Sequence, residues 1–282
     1  MLELPGESVN ALAVEGPDHA LAVIGGTRVW RRAPNGAWAR LAGMDQNVES
    51  LTVHRECVYA GFMNEAAITR ISPTGRTQRL TAFDTMPGRG EWYAQGPPLS
   101  IRSLTSTSDG MALLATVHVG GIPRSADGGK TWQPTVPVTY DVHETRAHAT
   151  RPNVVAAASA AGLCTSLDGG ATWRVISEGL TPPHSLAVAM LEEEAIFSIQ
   201  DGPFAKHAQV YRWRIGAASV ELVRDGLPER LLGKIDTGHI SACDNRAALV
   251  DGAGTVWLST EGSRGWQPIA TRVQNVFGAL VI

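Results

Sequence analysis

The chain has 282 residues, with 24 Lys and Arg against 27 Asp and Glu and a formal net charge of −3. A balance this near neutrality, with no basic cluster, excludes the electrostatic footprint of a nucleic-acid-binding surface. No apolar run approaches the length that spans a bilayer, so no membrane role is expected.

Three cysteines, Cys57, Cys164 and Cys243, are odd in number and scattered through strand-like stretches. They predict buried free thiols in a reducing compartment rather than a disulfide framework. Met1-Leu2-Glu3-Leu4-Pro5 lacks the charged and apolar regions of a secretory leader, which makes a cytoplasmic location the expectation.

Short runs of Val, Ala, Leu and Ile, broken by Gly, Pro, Asn and Asp, predict an all-β array with no competing helical period. In chain order they fall into units of about forty residues, the spacing of a stacked-repeat architecture. The first unit covers about 8–42, with Trp38 opening its last strand, and the second about 48–81, with the turn Ser72-Pro73-Thr74-Gly75. Units three (about 100–137) and four (about 142–178) each carry a sharp turn signature. Unit five covers about 184–224, unit six about 238–270, and a last strand, Phe277 to Ile282, is expected to complete the first or last unit and lock the ring. The count is six, or seven if the two termini jointly build another, and residues 1–282 form a single domain.

The signature is Ser125-Ala126-Asp127-Gly128-Gly129-Lys130-Thr131-Trp132, repeated as Ser166-Leu167-Asp168-Gly169-Gly170-Ala171-Thr172-Trp173. A worn third copy reads Ser259-Thr260-Glu261-Gly262-Ser263-Arg264-Gly265-Trp266. Its Asp accepts backbone N–H bonds across the turn, its glycines supply positive φ, and its Trp buries between units. These copies resemble the Asp box, or BNR repeat, of the sialidase-like β-propellers. The resemblance implies an all-β fold, a single propeller of four-stranded antiparallel blades, in which the Asp box is a structural turn. His118-Val119-Gly120-Gly121-Ile122, Asp141-Val142-His143 and Ile235-Asp236-Thr237 resemble short bacterial BNR-like or YVTN-like repeat proteins, a likeness that implies no particular activity.

Using the repeat as a ruler aligns the innermost strand of each blade. One position then reads Asn10, Glu49, Arg102, His143, His184, His239 around the channel. Three successive blades thus offer an imidazole to one mouth, and His118, at the end of a second strand, is expected to join them. Neutral imidazoles suit iron, copper or zinc. The expectation is a transition metal held by His118, His143, His184 and His239, with no nucleotide cofactor. The analogy to the carotenoid-cleavage oxygenases rests on ligand type and axial location alone. His148, five residues beyond His143, is expected to point elsewhere.

Long loops at the same mouth bring further candidates. Trp92 and Tyr93 in the Thr81–Ser100 connection, and Phe204 in the Asp201–Lys206 loop, are assigned to substrate binding. Asp201, Asp236, Glu49 and Arg102 are the catalytic candidates, and Asp141, Asp201 and Asp236 are each expected as an acceptor for a ring N–H or as an acid/base. The leading expectation is a metal-dependent enzyme acting on a small organic molecule, oxygen-dependent chemistry being favoured over hydrolysis. The alternative is a non-catalytic propeller that binds a ligand or a protein at that mouth. Sialidase chemistry does not carry over: Gly121-Ile122-Pro123-Arg124 is not the family's Arg-Ile-Pro, Arg102 is the lone axial arginine, and four tyrosines leave no placed nucleophile. Oligomeric state is left open.

Overall fold

A computed structural model describes residues 7–16, 19–93, 98–276 and 278–281. Its strands form six sheets arranged as propeller blades, each a four-stranded antiparallel meander. The innermost strands are Val9–Gly16, Val48–His54, Ile101–Ser106, Val142–Ala147, Val188–Met190 and Ile240–Cys243. Each is followed outward by its blade's second, third and fourth strands. Blade five carries an extra short strand, Leu231–Leu232, beside its third strand, His207–Arg214.

The blades occur where the periodicity puts them, and alternation along each strand explains how they pack. Ala13, Leu21, Val23 and Val29 of blade one meet Val48, Leu51, Val58 and Ala60 of blade two in a buried cluster. Equivalent clusters fill the boundaries between blades two and three, three and four, four and five, and five and six. Among the described residues no such cluster joins blade six to blade one. Leu12 and Val14 stay 38% and 41% exposed on the free face of blade one.

The expected closing strand takes a different course. Phe277 and Ile282 lie outside the described residues, and 278–281 form no strand. Instead the Ala279 N–H donates to the Gly238 carbonyl and the Val281 N–H to Ser241 Oγ, so this segment runs beside blade six. It leaves an apolar groove of about 490 Å³ lined by Val250, Val256, Leu258, Ile269, Val273 and Leu280, among others.

The Asp-box turns close the blades at the far end from the strand starts. Asp127 Oδ1 accepts the N–H groups of Lys130 (3.0 Å) and Thr131 (2.9 Å), and Oδ2 accepts the Thr131 hydroxyl (2.7 Å). Asp168 repeats this with Ala171, Thr172 and the Thr172 hydroxyl at 3.0, 2.9 and 2.6 Å. Gly128 and Gly129, at φ of 74° and 90°, supply the left-handed backbone that lets the N–H groups converge. In the worn copy the Trp tie survives, Trp266 Nε1 donating to the Ser263 carbonyl at 3.0 Å. The N–H that the box Ser Oγ accepts in the intact copies goes here to the neighbouring blade, the Ser263 N–H donating to Glu194 Oε1 at 3.1 Å.

One buried carboxylate ties three blades near the axis. Glu144, fully buried in blade four, accepts the Val188 N–H of blade five at 2.9 Å and the Gly238 N–H ahead of blade six at 3.2 Å. Arg146 pairs with it from the same strand.

Candidate functional site at the axial mouth

Starts of innermost strands and ends of second strands share one face, so side chains there converge on the channel mouth. His143 opens the innermost strand of blade four and is buried. Its Nδ1 lies 2.9 Å from the Ser185 carbonyl oxygen. A carbonyl only accepts, so Nδ1 is the donor, and Nε2 is left to face the mouth.

That Nε2 faces Asp141 Oδ2 at 3.5 Å, and His118 Nε2 faces Asp141 Oδ1 at 3.8 Å. The ring of His184 packs against His143 with centroids 5.1 Å apart. Asp141 sits at φ 46° and Val119, beside His118, at φ 49°. Left-handed backbone is unfavourable for a β-branched residue in particular, and such strain concentrates where side-chain placement is over-determined.

The electrostatics follow from burial. Burial pushes the Asp141 carboxyl up, but the surrounding imidazoles of His143, His118 and His184 outweigh it and hold it below its ordinary value. Burial lowers His118 against the pull of Asp141. It lowers His184 as well, with His143 acting in the same direction. The mouth therefore pairs an ionised carboxylate with imidazoles that resist a proton.

His239 does not join them, which corrects the four-histidine expectation. The segment leading into blade six dips into the channel and separates the rings. Ile235 is buried there, its N–H donating to Gln200 Oε1 at 3.0 Å, and Thr237 Oγ1 lies 3.2 Å from the Leu186 carbonyl oxygen. The His239 backbone N–H donates to the Asp236 carbonyl. Burial lowers its ring pKa against the Asp236 charge. Among the described residues no group of three or more His, Cys, Asp or Glu side chains is arranged to hold a metal ion. The residues present thus do not fit an iron, copper or zinc centre of four histidines.

The strand register explains part of this. His184 precedes its strand, which starts at Val188, so it approaches the mouth from a connecting segment. His148 lies apart as expected, its Nε2 donating to the Glu192 carbonyl at 2.8 Å.

Arg102 reaches from blade three to that inserted segment, contacting Asp236 Oδ1 at 3.1 Å and Thr237 Oγ1 at 3.0 Å. Asp236 also binds Lys234 at 2.6 Å. Burial would raise its carboxyl, but Lys234 and Arg102 hold it below its ordinary value. Glu49 responds the other way, because burial raises it despite the Ser100 hydroxyl and Arg102.

The loop candidates divide. Trp92 is only 9% exposed and belongs to the core between blades two and three, its ring 5.6 Å from Phe83. Arg89 stacks over it at 4.5 Å. Gly120 explains the fit: a Cβ there would meet Val117 and the Trp92 indole at under 3 Å. Trp92 is thus an anchor for the loop, which corrects its assignment to substrate. Tyr93 is 40% exposed, its N–H donating to the Val119 carbonyl beside His118. Phe204 is 94% exposed at a loop tip and Asp201 is exposed beside it.

Seven buried polar atoms of this region have no hydrogen-bond partner among the described residues: Glu49 Oε2, Arg102 Nε, His118 Nδ1, Asp141 Oδ1, His184 Nε2, Ser185 Oγ and His239 Nδ1. Ser185, Thr237, Lys234 and Gln200 were not signalled by the sequence, since each is common in ordinary loops. Only Asp141 was, through its place two residues before His143.

The sequence matches no protein-family model and no curated protein. Solved structures share the fold. An ancestral GH74 enzyme superposes with a TM-score of 0.67 at 14% identity over 90% of this chain and 36% of its own. The GH74 xyloglucanase from Xanthomonas campestris gives 0.64 at 17% identity, over 94% and 45%. YCF48 bound to D1 peptide gives 0.63 at 15%, over 95% and 84%. The chain spans less than half the length of those GH74 proteins. At these identities the likeness is to the β-propeller fold, and the Asp-box resemblance rests on the motif.

Proposed function

We propose that this chain is a β-propeller that binds a small polar molecule at its axial mouth, around Asp141, His143, His118 and His184. One observation carries the reading. Natural proteins seldom leave buried polar groups unpaired, and here seven such atoms gather at one end of one channel. The cost of those groups is offset when a ligand supplies the missing partners. The strained backbone at Asp141 and Val119 supports the same place.

A second reading, glycoside hydrolysis, is favoured by Glu49 and Asp236 on either side of Arg102, one carboxyl raised and the other lowered, as acid–base chemistry requires. Turnover of aryl glycosides that disappears in Glu49→Gln would support it.

Crystals soaked separately in glycerol, ethanolamine, isopropanol and acetamide test the main reading. Several different probes are expected to superpose at the mouth. Superposition on the Asp-box face or in the groove of blade six, with none at the mouth, would overturn it.

A further inference from the structure

We infer that the group recognised at the mouth is an organic ammonium carrying N–H donors, seated between Asp141, His143 and His118. This rests on the reading that the mouth binds a small molecule. The Ser185 carbonyl takes a proton from His143 Nδ1, so the neutral form of that ring turns an Nε2 lone pair toward Asp141 Oδ2, 3.5 Å away. His118 Nε2 stands 3.8 Å from the other carboxylate oxygen.

Both separations exceed a hydrogen bond. Asp141 Oδ1 is buried without a partner among the described residues. His143 is 3% exposed, so bulk water is not its ordinary partner. A donor placed between the imidazoles completes Asp141 Oδ1 and reaches the ring nitrogens that flank it.

A hydroxyl has one proton to give, whereas a primary ammonium has three and a charge that matches the carboxylate. The nearest protein cations do not supply it. Arg102 is turned to Asp236 and Thr237, and Lys234 is paired with the same Asp236. The Arg102–Asp236 pair leaves the Asp141 charge uncompensated by any ion pair other than the two imidazoles.

The geometry separates this ligand class from two near relatives. A quaternary ammonium has the charge without the donors, and an alcohol has a donor without the charge. NMR titration of the full chain, following the histidine ring resonances, with ethylammonium, tetramethylammonium and ethanol distinguishes them. Ethylammonium should shift the rings of His118 and His143 saturably, while the other two leave them unmoved at equal concentration.

Asp141→Asn, checked for an unchanged fold by circular dichroism, should weaken ethylammonium by about tenfold or more, since a charge-assisted bond is lost. Asp244→Asn, in the exposed turn after the innermost strand of blade six and away from the mouth, should change nothing. Should Asp141→Asn fail to fold, Asp141→Glu serves instead, and it should also weaken binding because the longer side chain shifts the carboxylate. Equal response to tetramethylammonium, or no response to ethylammonium, overturns the inference. If ethylammonium fails while soaked polar probes still gather at the mouth, the ligand class falls and the binding site stands.

Discussion

The two ends of this propeller solve the problem of polar groups in opposite ways. At the Asp-box end, Asp127 and Asp168 each accept four bonds from their own turn, and the Trp N–H closes onto a glycine carbonyl. At the mouth, a carboxylate, three imidazoles and an arginine are brought together with atoms left unpaired. A satisfied turn is structure for its own sake, whereas an unsatisfied cluster is structure held for something else. In the worn third box Glu194 of the neighbouring blade accepts the N–H that the box Ser takes in the intact copies. At that end His54 Nε2 is left unpaired among the described residues, against seven such atoms near the mouth.

The largest effect expected from breaking the comparison lies between the two ends. Glu144→Ala removes the acceptor shared by blades five and six and orphans two backbone N–H groups, which should cost about 3 kcal/mol in urea denaturation. Next comes the turn itself. Asp127→Ala should cost about 1–2 kcal/mol, the value of a side-chain cap that satisfies several backbone donors. Glu261→Ala, in the worn copy, should cost almost nothing, because among the described residues its carboxylate accepts no bond from the turn.

pH separates the ends in a different way. Burial opposes ionisation of Asp127, but Thr131, Ser125 and Lys130 outweigh it and depress its pKa from 3.8. Its contribution is therefore present above that value and is lost as pH falls through the lower folded value. The mouth imidazoles are also depressed, from 6.5, so below that pH the unfolded chain takes up protons that the folded chain refuses. Stability should thus begin to fall from about pH 6.5 downward, well before the Asp boxes titrate. His54, buried beside Tyr59 and pushed down to about 4, shares that window from the other end. The triple variant His118→Gln/His184→Gln/His239→Gln should flatten the decline between pH 6.5 and 5 and leave the His54 share, as followed by midpoints in urea.

Much of this comparison was legible in the sequence. The Asp boxes and their spacing placed all six blades within a few residues, because Gly, Asp and Trp at a turn act locally. His143 lies at the start of its strand, where the alignment has it, whereas His184 lies ahead of its strand and outside that register. The departure of His239 was not legible. It depends on Ile235 and Thr237 entering the channel, and a connection of ordinary composition carries no sign that it will fold inward. Trp92 misled for a related reason, because an aromatic in a long loop reads as a binding residue until Gly120 is seen to leave room for its indole. The unsealed boundary between blades six and one was equally hidden, as strand alternation predicts an apolar face without saying what covers it.

The central claim is that Asp141 is kept for a ligand and Asp127 for the fold. Urea denaturation of Asp141→Asn in the absence of ligand tests it most directly. The imidazoles favour its ionised form, but one of its two oxygens is left unpaired, so the loss should be small and well below that in Asp127→Ala. A fall of about 1 kcal/mol or more, matching the Asp-box variant, would show that Asp141 holds the propeller together and would contradict the account.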